Sequence, residues 1–264
     1  MDNTEDIKRY VETCRETFWQ KIFQVETDYL ISHLRDSRDI LSVGCGPAII
    51  EGKLSKKGFN VTGLDISAEA LKCAPDSVRT FAGRAEDMPF SDASFDAVIY
   101  VVSLQFIEDY KKALQRSVNV LRPESKIIVM LLNPESGFFK NMRLEPDSYV
   151  NFIRNTNLNE IENFMAELFS IQTEYFLGIN GEEIFESKDP RKAALYVITG
   201  RKRTGVNEAY VFLMKEEFGI LDPWEDYNRW WWRQYGNDPI WGNYYPEEGS
   251  ETNENKKKTI DNHS

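Results

Sequence analysis

Two glycines, Gly44 and Gly46, flank Cys45 directly after the apolar run Asp39–Val43, and Pro47 follows them. A strand that runs into Gly-x-Gly and then a helix brings bare backbone against a ligand at the strand's carboxyl end. The next apolar run, Asn60–Leu64, ends at Asp65, nineteen positions beyond Gly46. A carboxylate there can accept two hydrogen bonds from a ribose diol, so the pair implies a nucleotide-like ligand. Taken singly, an ordinary strand-to-helix turn and a helix-capping acid beside Ser67 account for these residues better.

The pairing leaves open a nicotinamide cofactor and S-adenosylmethionine, since both present an adenosine ribose to an acid at that point. A dinucleotide fingerprint also wants a glycine three residues after the second, where pyrophosphate meets the helix; that position is Ile49. A ligand lacking phosphates is favoured.

Four separated motifs then occur in order over roughly residues 38 to 133: Leu41–Gly46, Val61–Ser67, Ala85–Phe90 with Ser94–Val98, and Leu121-Arg122-Pro123 before a strand. In these the chain resembles the class I S-adenosylmethionine-dependent methyltransferases, particularly the ubiquinone and menaquinone biosynthesis group. The resemblance implies that Gly44 and Gly46 let the loop approach the methionine part of S-adenosyl-L-methionine and that Asp65 holds the ribose hydroxyls. It further implies that Ile66 packs on the adenine, that Ala85 and Glu86 border its edge, that Val101 closes the pocket and that Asp96 is structural. Gln105 occupies a place where relatives often put a substrate-facing residue; otherwise it is a polar loop residue. Two acids usual in the family are replaced, by Ser42 and Arg84, and Ala48 stands for its frequent third glycine.

These residues need a frame of alternating strands and helices. Strands are expected at 39–43, 60–64, 78–81, 95–102 and 126–132, with helices from Pro47 to about Lys57, from Ser67, and from Asp109 to Val120. That alternation predicts an α/β, doubly wound, mostly parallel sheet. Two further runs, 173–179 and 193–199, suit an antiparallel pair at its edge. Ile7, Tyr10, Val11, Cys14, Phe18 and Ile22 recur at helical spacing, predicting one amphipathic helix over the first two dozen residues and a second from Val25 to Leu34. Asn157 and Glu160 predict the start of a helix through Leu168. The expected organisation is a helical cover at 1–37, the cofactor domain at 38–203 with a substrate lid at 134–169, an aromatic-rich extension at 204–246 and a disordered tail at 247–264.

The composition, 41% hydrophobic and 28% charged over 264 residues, is that of a folded globular chain. Apolar runs fall far short of the roughly 18 to 20 residues that span a bilayer, and the acidic start has no export-signal pattern, so a cytoplasmic protein is expected. Thirty-two basic against 43 acidic residues give a net charge of −11, which disfavours nucleic acid. Cys14, Cys45 and Cys73 lack metal-ligand spacing and read as small buried hydrophobes. His33 reads as a partly packed surface residue. The expected chemistry is in-line methyl transfer to a small-molecule or modified macromolecular acceptor, with no metal. A binding or regulatory protein that docks through the Trp-rich segment Trp224–Tyr245 is the alternative, and a nicotinamide-dependent oxidoreductase is the second.

Overall fold

The computed structural model describes residues 4–202, with side chains from residue 9 onward. The aromatic extension and tail lie outside the described residues, and with them the docking alternative. Within them the chain forms α1 (Thr4–Cys14), α2 (Thr17–His33), β1 (Asp39–Val43), α3 (Ile49–Lys56), β2 (Asn60–Asp65), α4 (Ala68–Leu71), β3 (Arg79–Ala82) and β4 (Phe95–Val101). There follow α5 (Tyr110–Val120), β5 (Leu121–Leu132), α6 (Gly137–Leu144), α7 (Leu158–Leu168), β6 (Phe169–Asn180), β7 (Glu183–Phe185) and β8 (Ala193–Lys202).

The eight strands form one sheet in the order β3-β2-β1-β4-β5-β8-β6-β7. β1 to β5 run parallel, while β8 is antiparallel to both β5 and β6. The order therefore reverses between β1 and β4, and the crevice beyond their carboxyl ends is where α/β sheets receive ligands. The central strands are buried on both faces, which is why they read as continuous apolar runs. One face packs against α5 and α7, with Leu114, Ile161 and Met165 at the contact; the other packs against α2, α3 and α6 through Leu30, Leu54 and Phe139.

Local chemistry sets the boundaries. Ser67 accepts the Ala70 amide proton at 3.2 Å and Asn157 that of Glu160 at 3.2 Å, the caps expected of both. Asp96 accepts the Arg38 and Asp39 amides at 2.9 Å each and pairs with Arg122 at 2.5 Å, while Arg122 also reaches Asp39 at 3.0 Å. This clasp fixes the amino ends of β1 and β4, away from the crevice, so Asp96 is structural.

Several expectations change. The single N-terminal helix is two helices, broken where Glu16 takes an extended backbone and starts α2. The apolar spacing runs through the break because both helices face the same cavity. Val25–Leu34 is the second half of α2 and no separate helix. Pro47 lies before α3, whose N-cap is Ala48 at φ 56°. A side chain in that left-handed region costs roughly 1–2 kcal/mol, which is why glycine is common there. β5 begins at Leu121, five residues early, across an irregularity opposite Phe95 and Ala97. The polar loop after β6 contains a short strand, β7. Of the cysteines, Cys14 is buried, Cys45 half-buried and Cys73 exposed, so only the first fits the reading of a buried hydrophobe.

Candidate functional site

At the switch point β1 ends in a turn that only glycine makes cheaply. Gly44 has φ +74° and Gly46 φ +53°, and a Cβ on Gly44 would stand 2.5 Å from that of Ser103. Ser103 follows β4 and donates to the Val43 carbonyl at 2.5 Å, tying the two strand ends together. Val102 beside it has φ 52°, a strained conformation for a β-branched residue. Such strain persists where the surrounding structure over-determines it, often at functional sites.

Asp65 closes β2 with both oxygens engaged: one accepts the Gly46 amide at 2.7 Å, the other the Ser67 amide at 2.8 Å. Burial raises its pKa, and the bonds from Ser67 and Gly46 partly offset that. The carboxylate is therefore fixed in place, with further lone pairs toward the cavity.

That cavity measures about 660 Å³ and is lined by every residue expected to hold the cofactor: Gly44, Gly46, Asp65, Ile66, Ala85, Glu86 and Val101. Ile66 is 70% exposed, an apolar platform available to a flat ligand. Glu86 is buried, and its carboxylate accepts from Arg84 at 2.7 Å. Arg84, which stands where the family has an acid, thus neutralises the adjacent acid. Ser42, the other replacement, donates to Glu51 of α3 at 2.6 Å. A carboxyl reaches this end of the cavity after all, from the helix and not from β1. Burial raises Glu51 to about 7, the Ser42 and backbone hydrogen bonds opposing and Asp65 adding to the shift.

Gln105 does not reach the cavity. It is fully buried, and its amide donates to the Leu132 carbonyl at 3.1 Å and accepts the Leu132 amide at 2.7 Å. Its polar atoms are consumed in bracing the end of β5.

Beyond Gly44 the cavity opens into an aromatic lobe. Trp19 of α2 lies with its ring centre 6.5 Å from Phe138 of α6 and 6.2 Å from Tyr149, both edge-on, and Phe106 stacks on Tyr149 at 6.2 Å. Phe138 and Tyr149 come from the segment expected to form a substrate lid; Phe139, from the same segment, is in the core. The lobe also holds Glu26, 3% exposed, which the sequence reading missed. Its signal was an acid on the face that Trp19, Ile22 and Phe23 define by helical spacing. Burial lifts Glu26 to about 8, with Glu51 adding to the shift.

The residues fit a sulfonium nucleoside. Positive-φ glycines leave the loop bare, Asp65 is braced for a diol, and the acids at the cavity complement a cationic donor.

The comparisons with known proteins agree. A family described as "Methyltransferase domain" matches residues 41–129. An uncharacterized protein of Methanocaldococcus jannaschii is 30% identical over 152 residues, which cover 56% of this chain and 71% of that protein. A demethylmenaquinone methyltransferase of Tropheryma whipplei is 30% identical over 96 residues, 34% of this chain and 40% of that enzyme's length, so the likeness spans less than half of it. Among solved structures, a Thermotoga maritima S-adenosylmethionine-dependent methyltransferase, possibly a histamine N-methyltransferase, shares the fold. Its TM-score is 0.63 at 20% identity, covering 76% of this chain and 100% of that one. The chain belongs to the class I S-adenosylmethionine-dependent methyltransferases.

Proposed function

We propose that this protein transfers the methyl group of S-adenosylmethionine to a nucleophilic atom of a small or medium-sized acceptor seated in the aromatic lobe. The observation that carries this reading is one continuous cavity joining the Gly44–Asp65 cradle to the ring of Trp19, Phe138 and Tyr149. The donor's sulfonium supplies an activated leaving group. Asp65 holds the ribose diol, Ile66 supports the adenine beside Ala85 and Glu86, and Val101 closes that end. Gly44 and Gly46 admit the methionine part, with the Glu51 carboxyl facing its ammonium group. The remaining work is positioning: donor and acceptor must meet at roughly 3 to 3.5 Å in line, in a pocket that excludes water. Gly137–Phe152, supplying Phe138 and Tyr149, acts as the acceptor-side wall.

Titration calorimetry with S-adenosylhomocysteine and S-adenosylmethionine tests the reading. Saturable binding of both is expected. No heat at millimolar ligand, or preference for a nicotinamide dinucleotide, would remove it.

A further inference from the structure

Glu26 is a buried carboxyl without a use inside the fold. Every fully enclosed side-chain N or O atom among the described residues has a hydrogen-bond partner. The Glu26 carboxyl has no hydrogen bond and no ion pair there, although the residue is 97% buried, so its oxygens open onto the cavity it lines. An unpartnered buried carboxyl costs several kcal/mol when ionised, a cost removed if a ligand brings the opposite charge.

The surroundings select the sign of that charge. Glu51 of α3 faces Glu26 as a second acid; Tyr149 couples to Glu26 directly, Cys14 and Tyr10 of α1 couple to Tyr149, and Asp65 couples to Glu51. The only cations lining the cavity, among the described residues, are Arg84 and Arg154, and both are paired with Glu86 or Glu108. With Glu51 taken by the donor's ammonium group, an anionic acceptor would meet the Glu26 carboxyl and no free base. A cation would meet the Glu26 carboxyl together with the faces of Trp19, Phe138 and Tyr149, to which cations are attracted.

We propose that the acceptor is an amine, bound as its ammonium ion in the aromatic lobe, and that Glu26 holds it and takes its proton. This deepens the methyl-transfer reading and rests on it. One N–H proton passes to the Glu26 carboxylate, which frees the nitrogen lone pair. The N–C bond then forms as the S–C bond breaks, its electron pair staying on sulfur. The sulfonium charge thereby ends on the methylated ammonium, and the Glu26 proton leaves to solvent with the products. The raised affinity of Glu26 for a proton, toward about 8, suits a group that must take one from an amine.

The test uses three probes of one skeleton, 2-phenylethylamine, 2-phenylethanol and 3-phenylpropanoate, titrated calorimetrically into the full chain saturated with S-adenosylhomocysteine. The amine should bind at least tenfold tighter than the other two, in a pH-dependent manner. Glu26→Gln should cut that preference tenfold or more, while the affinity for S-adenosylhomocysteine stays within twofold and thermal melting shows the variant folded. Glu26→Asp, which keeps the charge, should restore part of it. Equal or undetectable binding of the three probes would overturn the proposal, and so would a preference that survives in Glu26→Gln. Loss of S-adenosylhomocysteine affinity in Glu26→Gln would also overturn it and assign Glu26 to the donor. Failure of the wild-type chain to bind S-adenosylhomocysteine would sink the methyl-transfer reading instead, while the probes, titrated alone, would still report on Glu26.

Discussion

The acids of the cavity respond to pH in opposite ways to those of the surface. Glu26 and Glu51 have folded-state pKa values raised to about 8 and about 7, above their ordinary 4.5, because burial disfavours their charged forms. The folded state then holds more protons than the unfolded state between those limits. The stability they contribute is complete below about pH 4.5 and is lost as pH rises through 7 and 8. Asp36 and Asp39, lowered by hydrogen bonds from Lys126 and from Asn60 and Arg122 respectively, act with the opposite sign at lower pH. Chemical denaturation of the ligand-free protein should therefore show a loss of a few kcal/mol from pH 5 to pH 9. In Glu26→Gln that slope should be shallower and the melting temperature at pH 9 higher. Asp65→Ala should weaken S-adenosylhomocysteine by about 1.5 to 3 kcal/mol, seen as a roughly 10- to 150-fold rise in Kd by calorimetry. Gly44, Gly46 and Asp65 were legible because backbone geometry demands those residue types at those places. Glu26 was not, because its role depends on what lies across the cavity: helical spacing puts it on the apolar face of α2 but does not say that this face lines a pocket. Gln105 failed for a related reason: its position was read correctly as following β4, but its side chain turns inward to the end of β5.

At the scale of elements, the turn after β1 and the end of β4 act as one unit. Gly44→Ala would force a side chain into a left-handed backbone and against Ser103, for an expected loss of about 2–4 kcal/mol in denaturant unfolding and of donor binding. Adding Ser103→Gly removes the collision but not the strain, so stability should recover in part, a non-additivity that a double-mutant cycle reads directly. The parallel half of the sheet was legible because β1, β4 and the second half of β5 are short apolar runs and β1 and β2 each close on a turn residue or a cap. The N-terminal helices were less so: α1 and α2 share one apolar stripe across a break, and only the backbone at Glu16 separates them. β7 escaped because three residues, Glu183 to Phe185, are too short a run to show an alternation, and they sit in a loop otherwise rich in Gly, Glu and Lys.

Across the whole molecule, the strand order is the dominant fact. β8, the last in the chain among the described residues, lies between β5 and β6, with seven registered pairs to β5 from Lys126↔Arg201 to Leu132↔Leu195. A chain ending at residue 192, which lacks β8, should therefore be far less soluble on expression than one ending at residue 203, which keeps it. The edge that β8 covers is apolar, with Ile127 to Leu132 all buried. During synthesis that edge emerges some seventy residues before its cover, an interval on the order of ten seconds at ordinary elongation rates. A nascent protein of this design passes through a stage with an unpaired hydrophobic border, the kind of border on which two growing chains can mistakenly zip together.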